Sequence, residues 1–271
     1  MTRTRVIAAL LAEFVCSAAG GASTGAVAPA PNDGKAFLTA RPGASVLTLP
    51  RGETHFEDGA TAYRPAALPT GPRPLLVILH GYPQDPRRFI KAFEPWADRC
   101  GALLLAPAAK NDTWDIIAAW LDLRDRRTGP ARTPVLFGPD VRRIDSDLAR
   151  LFAAAPVDPR QITLLGFSDG ASYALSLGLA NPQLFRWIVA LSPGFAVFPE
   201  RGTLAQKIFI AHGTRDSRLE FERTRDGIVK PLREAGMDVT FRPFDGDHVF
   251  VPVLAREALQ LAFGCSRSAS T

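Results

Sequence analysis

Ser168 stands at the centre of Gly166-Phe167-Ser168-Asp169-Gly170, and the residues on either side give that serine a chemical context. Before it runs Ile162-Thr163-Leu164-Leu165, β-branched and apolar, as in a buried strand. After it, Ala171, Ser172, Tyr173, Ala174, Leu175, Ser176 and Leu177 have helix-like spacing. A G-x-S-x-G pentapeptide on a strand–turn–helix junction is the setting of a nucleophile elbow, in which a sharp turn lifts the hydroxyl above a sheet. Glycines at 166 and 170 leave room where a side chain would strike the neighbouring strand or helix. The helix N-terminus behind the serine adds a partial positive charge. The competing reading is a serine N-cap at an ordinary β–α turn.

A serine nucleophile needs a base. In the chain order that accompanies such an elbow, the base follows both the serine and an acid. His55 and His80 precede Ser168 and drop out. His212 ends the apolar run Lys207-Ile208-Phe209-Ile210-Ala211 and precedes Gly213, so it belongs to a strand end. His248 remains, in the polar loop Asp245-Gly246-Asp247-His248, where an imidazole can swing within hydrogen-bond reach of the serine oxygen. An exposed loop histidine with no chemistry is the alternative. For the acid, Asp216 is the first carboxylate after the strand that ends at His212, and it would hold the histidine tautomer and stabilise imidazolium. Asp245 and Asp247 are rivals beside His248, although a carboxylate so near in sequence would point away from the ring or cap the loop. Glu220 falls on the following helix.

The remaining part is an anion site. Residues 75–80 read as a buried strand, and His80-Gly81-Tyr82-Pro83 closes it. One oxyanion donor is expected at the backbone N–H of Asp169, the residue after the nucleophile, and the other at Tyr82 in this loop. His80 is expected to brace the loop rather than to transfer protons.

The segments His80-Gly81-Tyr82, Gly166-Phe167-Ser168-Asp169-Gly170, His212-Gly213-Thr214-Arg215-Asp216 and Gly246-Asp247-His248 together resemble the α/β-hydrolase superfamily. Within it, the chain is most similar to phospholipase/carboxylesterase-like serine esterases, near feruloyl esterases and polyhydroxybutyrate depolymerases, over roughly residues 70 to 263. The resemblance implies ester hydrolysis without metal or organic cofactor. The sequence departs from it at Asp169, where many relatives carry Gln, Ala, Met or Asn. A carboxylate there stands beside the oxyanion, which raises the barrier unless it points away or pairs with a cation.

These residues need elements to position them. From about residue 70, apolar runs of strand length alternate with helix-patterned segments. Strands are expected near 75–80, 103–106, 162–167, 187–192, 207–212 and 239–244, and helices near 86–100, 141–155, 169–180, 219–235 and 249–263. That alternation predicts an α/β fold, the α/β-hydrolase fold: a mostly parallel central sheet covered by helices on both faces. Residues 45–50 and 60–64 are expected to add antiparallel strands at one edge. Residues 107–140 break the rhythm with Trp114, Trp120, Arg124, Arg126, Arg127 and Phe137 between prolines, and an insertion after a strand's carboxyl end belongs at the active-site rim. An apolar substrate pocket is expected from Tyr82, Trp114, Trp120, Phe167, Phe195 and Phe198, each weighed against plain core packing. Phe195 and Phe198 are favoured because they follow the strand end Leu191-Ser192-Pro193-Gly194.

The 271 residues, 46% of them apolar, suffice for one α/β domain over 31–271, with no internal repeat. The net charge of +5 is carried mainly by arginine, and no arginine stripe is interleaved with aromatics, so nucleic acid is not an expected partner. Residues 1–30 read as a signal peptide or disordered leader: Arg3 and Arg5, an apolar core over 6–15, then an Ala/Ser/Gly-rich stretch. Glu13 interrupts the core, and Cys16 lacks the small preceding residue of a lipoprotein signal. The apolar stretch is shorter than the roughly 20 residues a membrane anchor needs. Secretion or export to the periplasm is expected, with an extension on a cytoplasmic enzyme as the alternative. In the α/β-hydrolase order the helices that end near Cys100 and Cys265 share one face and finish opposite the active site. An exported form can therefore bridge these cysteines, but two unpaired thiols are the favoured reading and the pairing stays open.

The leading expectation is a serine carboxylesterase acting on a small-molecule or polymeric ester, with no fixed oligomeric state. The alternatives are a polyester depolymerase or cutinase-like enzyme, a peptidase using the same triad, and a non-catalytic binding protein on a hydrolase fold.

Overall fold

A computed structural model describes residues 36–83, 85–125, 137–199 and 206–265. The leader read at 1–30, with its Cys16, and the arginines Arg126 and Arg127 lie outside the described residues. The chain divides into two units, Met1–Pro31 and Asn32–Thr271, and the second holds every element that follows. In chain order these are Gly52–His55 (β1), Thr61–Arg64 (β2), Arg73–Leu79 (β3), Pro86–Cys100 (α1), Leu103–Ala106 (β4), Asp115–Asp125 (α2), Pro139–Ala154 (α3), Val157–Phe167 (β5) and Asp169–Ala180 (α4). Then come Trp187–Leu191 (β6), Lys207–Gly213 (β7), Phe221–Thr224 (α5), a π-helical turn Arg225–Val229, Lys230–Glu234 (α6), Asp238–Phe244 (β8) and Pro252–Phe263 (α7).

The strands form one sheet in the order β1-β2-β4-β3-β5-β6-β7-β8. The pairs β1–β2 and β2–β4 are antiparallel, and the others are parallel. This is the α/β-hydrolase fold. Alternation along the central strands sends their side chains to two separate cores. Leu75, Val77 and Leu79 of β3, with Ile162 and Leu164 of β5, pack under α3 and α4. Leu76, Ile78 and Leu165 pack on the other face against α1 and α7. Both faces are covered, so these strands read as continuous apolar runs.

The helix limits follow from their caps. Asp85 accepts the Arg88 amide at 3.0 Å ahead of Pro86, and Gly101 closes α1 in the left-handed conformation. The helix expected over 249–263 starts instead at Pro252, whose missing N–H suits a first helical position. The helix expected over 219–235 begins at Phe221 and carries the π turn in its middle.

Other expectations need correction. The first antiparallel strand lies at Gly52–His55 rather than 45–50. Residues 45–50 instead satisfy the end of α3: the amides of Val46 and Leu47 donate to the Ala153 carbonyl at 2.9 Å, and Leu49 donates to Ala154 at 2.7 Å. The last carbonyls of a helix lack internal partners, and this segment supplies them. The insertion is not irregular throughout, because α2 forms within it. Among the described residues no helix is long and apolar enough to cross a membrane.

At the amino edge of the sheet, Cys100, the last residue of α1, and Cys265, just after α7, form a disulfide with Cα atoms 5.8 Å apart. Trp96 and Phe263 pack 5.1 Å apart just before it, so the helices meet through side chains as well as sulfur.

Candidate active site

Where β5 ends at Phe167 the chain turns directly into α4, and Ser168 adopts φ 56° and ψ −120°. A side-chain-bearing residue rarely holds a positive φ, and such strain collects at functional sites. The turn is tight enough to dictate its neighbours. A Cβ on Gly166 would fall on the Gly170 carbonyl, and one on Gly170 would fall on the Leu79 carbonyl of β3. The Ser168 amide donates to the Leu191 carbonyl of β6 at 2.9 Å, fixing the elbow to the sheet.

His248 reaches the serine from the loop after β8. Its Nε2 lies 2.8 Å from Ser168 Oγ, and its Nδ1 lies 2.7 Å from Asp216 Oδ2. An ionised Asp216 accepts the Nδ1 proton, which leaves Nε2 as the acceptor facing the hydroxyl. The histidine side chain is 7% exposed and the aspartate side chain 0%. Phe167 packs on the imidazole at 5.3 Å, and Phe250, edge-on to Phe167, joins this ring pair to Phe89 and Phe93 of α1.

Asp216 sits in the turn after β7 with both oxygens engaged. Its Oδ1 accepts the amides of Arg218 at 2.9 Å and Leu219 at 2.8 Å. The rival carboxylates are turned elsewhere. Asp247 Oδ1 accepts the amides of Ser217 and His248, each at 2.7 Å, and the Ser217 bond leads in holding its carboxyl down at about 2. Asp245 pairs with Arg215 at 2.9 Å on the surface.

On the other side of the serine, Gly81 brings the loop after β3 against the elbow, where its Cβ would lie 3.3 Å from Ser168 Cβ. The Tyr82 amide follows it, and the Tyr82 ring is 61% exposed. At the first position of α4 the Asp169 amide has no acceptor within its own helix. The Asp169 carboxylate points to Thr113, whose hydroxyl donates to Oδ2 at 2.5 Å. Burial raises this carboxyl above the usual range, and no cation pairs with it among the described residues.

His80 braces this loop. Its Nδ1 donates to the Gly81 carbonyl at 2.9 Å, and its Nε2 accepts the Ala109 amide at 3.1 Å. Burial pushes its pKa down to about 4.

The expected pocket aromatics separate. Trp114 is fully buried, stacks on His80 at 4.6 Å and donates its indole N–H to the His80 carbonyl at 2.9 Å. It is therefore a packing residue under the loop after β3, not a pocket wall. Its polar atom is satisfied internally, and no face is left for a ligand. Phe195 is half-buried and stacks on Trp120 at 4.9 Å, which joins α2 to the loop after β6. Phe198 is exposed at 42%.

Sequence reasoning passed over two groups beside this site. His212, with no exposure, places Nε2 2.8 Å from the Leu219 carbonyl and 3.3 Å from Asp216 Oδ2. Ser192, at the end of β6, is buried with φ 54°. The four-residue step from His212 to Asp216 was the available signal for the first, and nothing in the sequence marked the second.

A serine on a strand–helix elbow of this sheet, faced by a histidine and an aspartate, defines the class of α/β-hydrolases with a serine at the elbow. The chain belongs to the phospholipase/carboxylesterase family, an esterase and serine-hydrolase family whose model matches residues 69–253. Solved structures share the fold. Esterase PE8 is 22% identical, with a TM-score of 0.54 over 79% of this chain and 98% of that one. S-formylglutathione hydrolase from Staphylococcus aureus is 16% identical, with a TM-score of 0.54 over 80% and 98%. Acetyl xylan esterase from Aspergillus awamori is 13% identical, with a TM-score of 0.55 over 77% and 94%. No curated protein matches the chain.

Proposed function

We propose that the protein is a serine carboxylesterase with Ser168 as nucleophile, His248 as base and Asp216 as its orienting acid. The observation that carries this reading is the continuous line of 2.8 Å and 2.7 Å contacts from Ser168 through His248 to Asp216. Ser168 Oγ attacks the ester carbonyl carbon while its proton passes to His248 Nε2. Asp216 stabilises the imidazolium without taking its proton. The amides of Asp169 and Tyr82 hold the tetrahedral oxyanion. Collapse breaks the C–O bond, and His248 Nε2–H protonates the departing alcohol. Water then attacks the acyl-enzyme with His248 again as base, freeing the acid and restoring Ser168. Phe167, Phe195 and Phe198 supply apolar contact for the substrate, and exposed Tyr82 and Phe198 also suit an open cleft reached by a polymeric ester. The Cys100–Cys265 bridge supports the reading of a secreted or periplasmic enzyme, since oxidising compartments are where disulfides persist.

A fluorophosphonate probe should label the wild type at Ser168, and Ser168→Ala should lose both labelling and ester turnover while keeping its fold. Asp216→Asn should lower kcat by about three to four orders of magnitude, with Asp245→Asn close to wild type. An unlabelled wild type would indicate a binding protein on this fold. The reverse ranking of the two aspartates would move the acid to Asp245. A panel of esters graded by acyl length, with a polyester film as its last member, assigns the substrate.

A further inference from the structure

We propose that His212 is a positioning residue for Asp216, one step behind the triad. The inference rests on the serine-hydrolase reading above and extends it inward. Nε2 of His212 faces the Leu219 carbonyl at 2.8 Å and Asp216 Oδ2 at 3.3 Å. Both are acceptors, so Nε2 carries the proton; its hydrogen bond goes to the Leu219 carbonyl, with Asp216 Oδ2 close beside it. Burial keeps this ring below the ordinary histidine pKa, so the donor is neutral. A neutral ring anchored on the Leu219 carbonyl fixes the residue whose amide holds Asp216, without cancelling the charge that stabilises imidazolium on His248. A protonated His212 would compete for that charge.

Asp216 is thereby fixed from three directions. Amides of Arg218 and Leu219 hold Oδ1, His248 Nδ1 meets Oδ2 at 2.7 Å, and His212 Nε2 stands 3.3 Å from Oδ2 on the strand side. The Leu219 backbone links the sets, since its amide donates to Asp216 and its carbonyl accepts from His212. The loop that delivers the acid is thus tied to the end of β7 by the same imidazole that touches the acid.

With Nε2 protonated, Nδ1 of His212 is a bare acceptor, buried and without a partner among the described residues. The Ser192 hydroxyl is likewise buried and without a partner. The Ser192 amide donates to the Ala211 carbonyl at 2.8 Å, but its hydroxyl makes no hydrogen bond to the ring.

The test compares His212→Leu, which removes the donor, with His212→Gln, whose side-chain amide can donate from the Nε2 position. Wild-type labelling by fluorophosphonate is verified first, because its failure overturns the serine-hydrolase reading and this inference with it. With labelling intact, His212→Leu should lower kcat about tenfold to a hundredfold with KM within about twofold, the scale expected for a misplaced catalytic group. The acid limb of kcat/KM should move down by about half a pH unit as His248 loses a well-aimed carboxylate. The downfield Nδ1–H proton resonance of His248 should move upfield or broaden. His212→Gln should recover most of the rate and the resonance. If His212→Leu fails to fold, His212→Asn replaces it, because its shorter amide keeps polarity without the reach. Folded His212→Leu or His212→Asn with wild-type kcat and an unmoved resonance would overturn the proposal. So would a Gln variant no better than Leu or Asn.

Discussion

Two strands on opposite sides of Ser168 end in nearly the same words, Ile78-Leu79-His80-Gly81 on β3 and Ile210-Ala211-His212-Gly213 on β7. Both histidines are fully buried, and burial lowers the pKa of each. Their partners differ. His80 spends both nitrogens on backbone, at Gly81 and Ala109, and its face on Trp114. His212 touches a carboxylate and leaves a nitrogen bare. The difference comes from the next loop. Four residues after His212 stands Asp216, turned back toward the strand. Five residues after His80 stands Asp85, which is committed to the Arg88 amide as the cap of α1. A strand ending in His-Gly therefore does not define a role; the carboxylate that the following turn can return to it does.

The largest test of whether these two sides are independent lies at the far edge of the sheet. The Cys100–Cys265 bridge joins α1, which follows the His80 loop, to α7, which follows the His248 loop. It closes a separation of 165 residues, for which the chain-entropy model gives about 5 kcal/mol as an upper figure. The Cys100→Ser/Cys265→Ser double variant should therefore unfold at markedly lower denaturant while kcat stays within about twofold, since the catalytic edge is held by its own bonds. A large fall in kcat in the folded variant would mean that the oxyanion and acid–base sides are aligned through α1 and α7.

The next effect separates the two histidines by pH. His80 falls from 6.5 to about 4 on folding, so the unfolded chain binds the extra proton. Its contribution is complete above about pH 6.5 and is lost as pH falls through 4, a change of roughly 3 kcal/mol. Asp115 and Asp147, raised by burial to about 6 and about 7, act in the opposite sense. The useful quantity is therefore the stability difference between wild type and His80→Gln, measured by denaturant titration at each pH. It should shrink between pH 6.5 and 4. A difference that holds constant across that window would show that His80 is not a buried neutral brace.

What could be read from the sequence follows the range of the forces involved. The limits of α1 and α4 fall where the spacing predicts, because Asp85, Pro86, Gly101 and the two elbow glycines act within a few residues. The meeting of Ser168, Asp216 and His248 was legible because each lies just past a strand's carboxyl end, and a parallel sheet gathers such ends on one edge. Trp114 was misread because an aromatic in a rim insertion has the same sequence signature whether it faces a ligand or the core. Its side is decided by a carbonyl 34 residues away. The strand placed at 45–50 failed for a related reason: its amides are claimed by the end of a helix more than 100 residues further on.

The smallest effect concerns two carboxylates with opposite consequences. In the proposed mechanism Asp216 lies behind a ring that becomes positive, so its charge would lower the barrier. In the same proposed mechanism the Asp169 amide holds the oxyanion, so a charge on its own carboxylate would oppose the same step. Thr113 donates to it, and burial raises its pKa, which keeps a larger fraction neutral than an ordinary aspartate would have. Asp169→Asn retains the backbone amide and an acceptor for Thr113 and removes only the charge. With a neutral ester at pH 8, kcat/KM should rise about threefold to tenfold, the size of a screened charge interaction at short range. The gain should fade as pH drops and the wild-type carboxyl takes up its proton. Parallel profiles for the two proteins down to acid pH would place the Asp169 charge too far from the oxyanion to matter. A lower rate in Asp169→Asn at pH 8 would mean that the ionised carboxylate is required on the oxyanion side, as the Asp216 carboxylate is on the other.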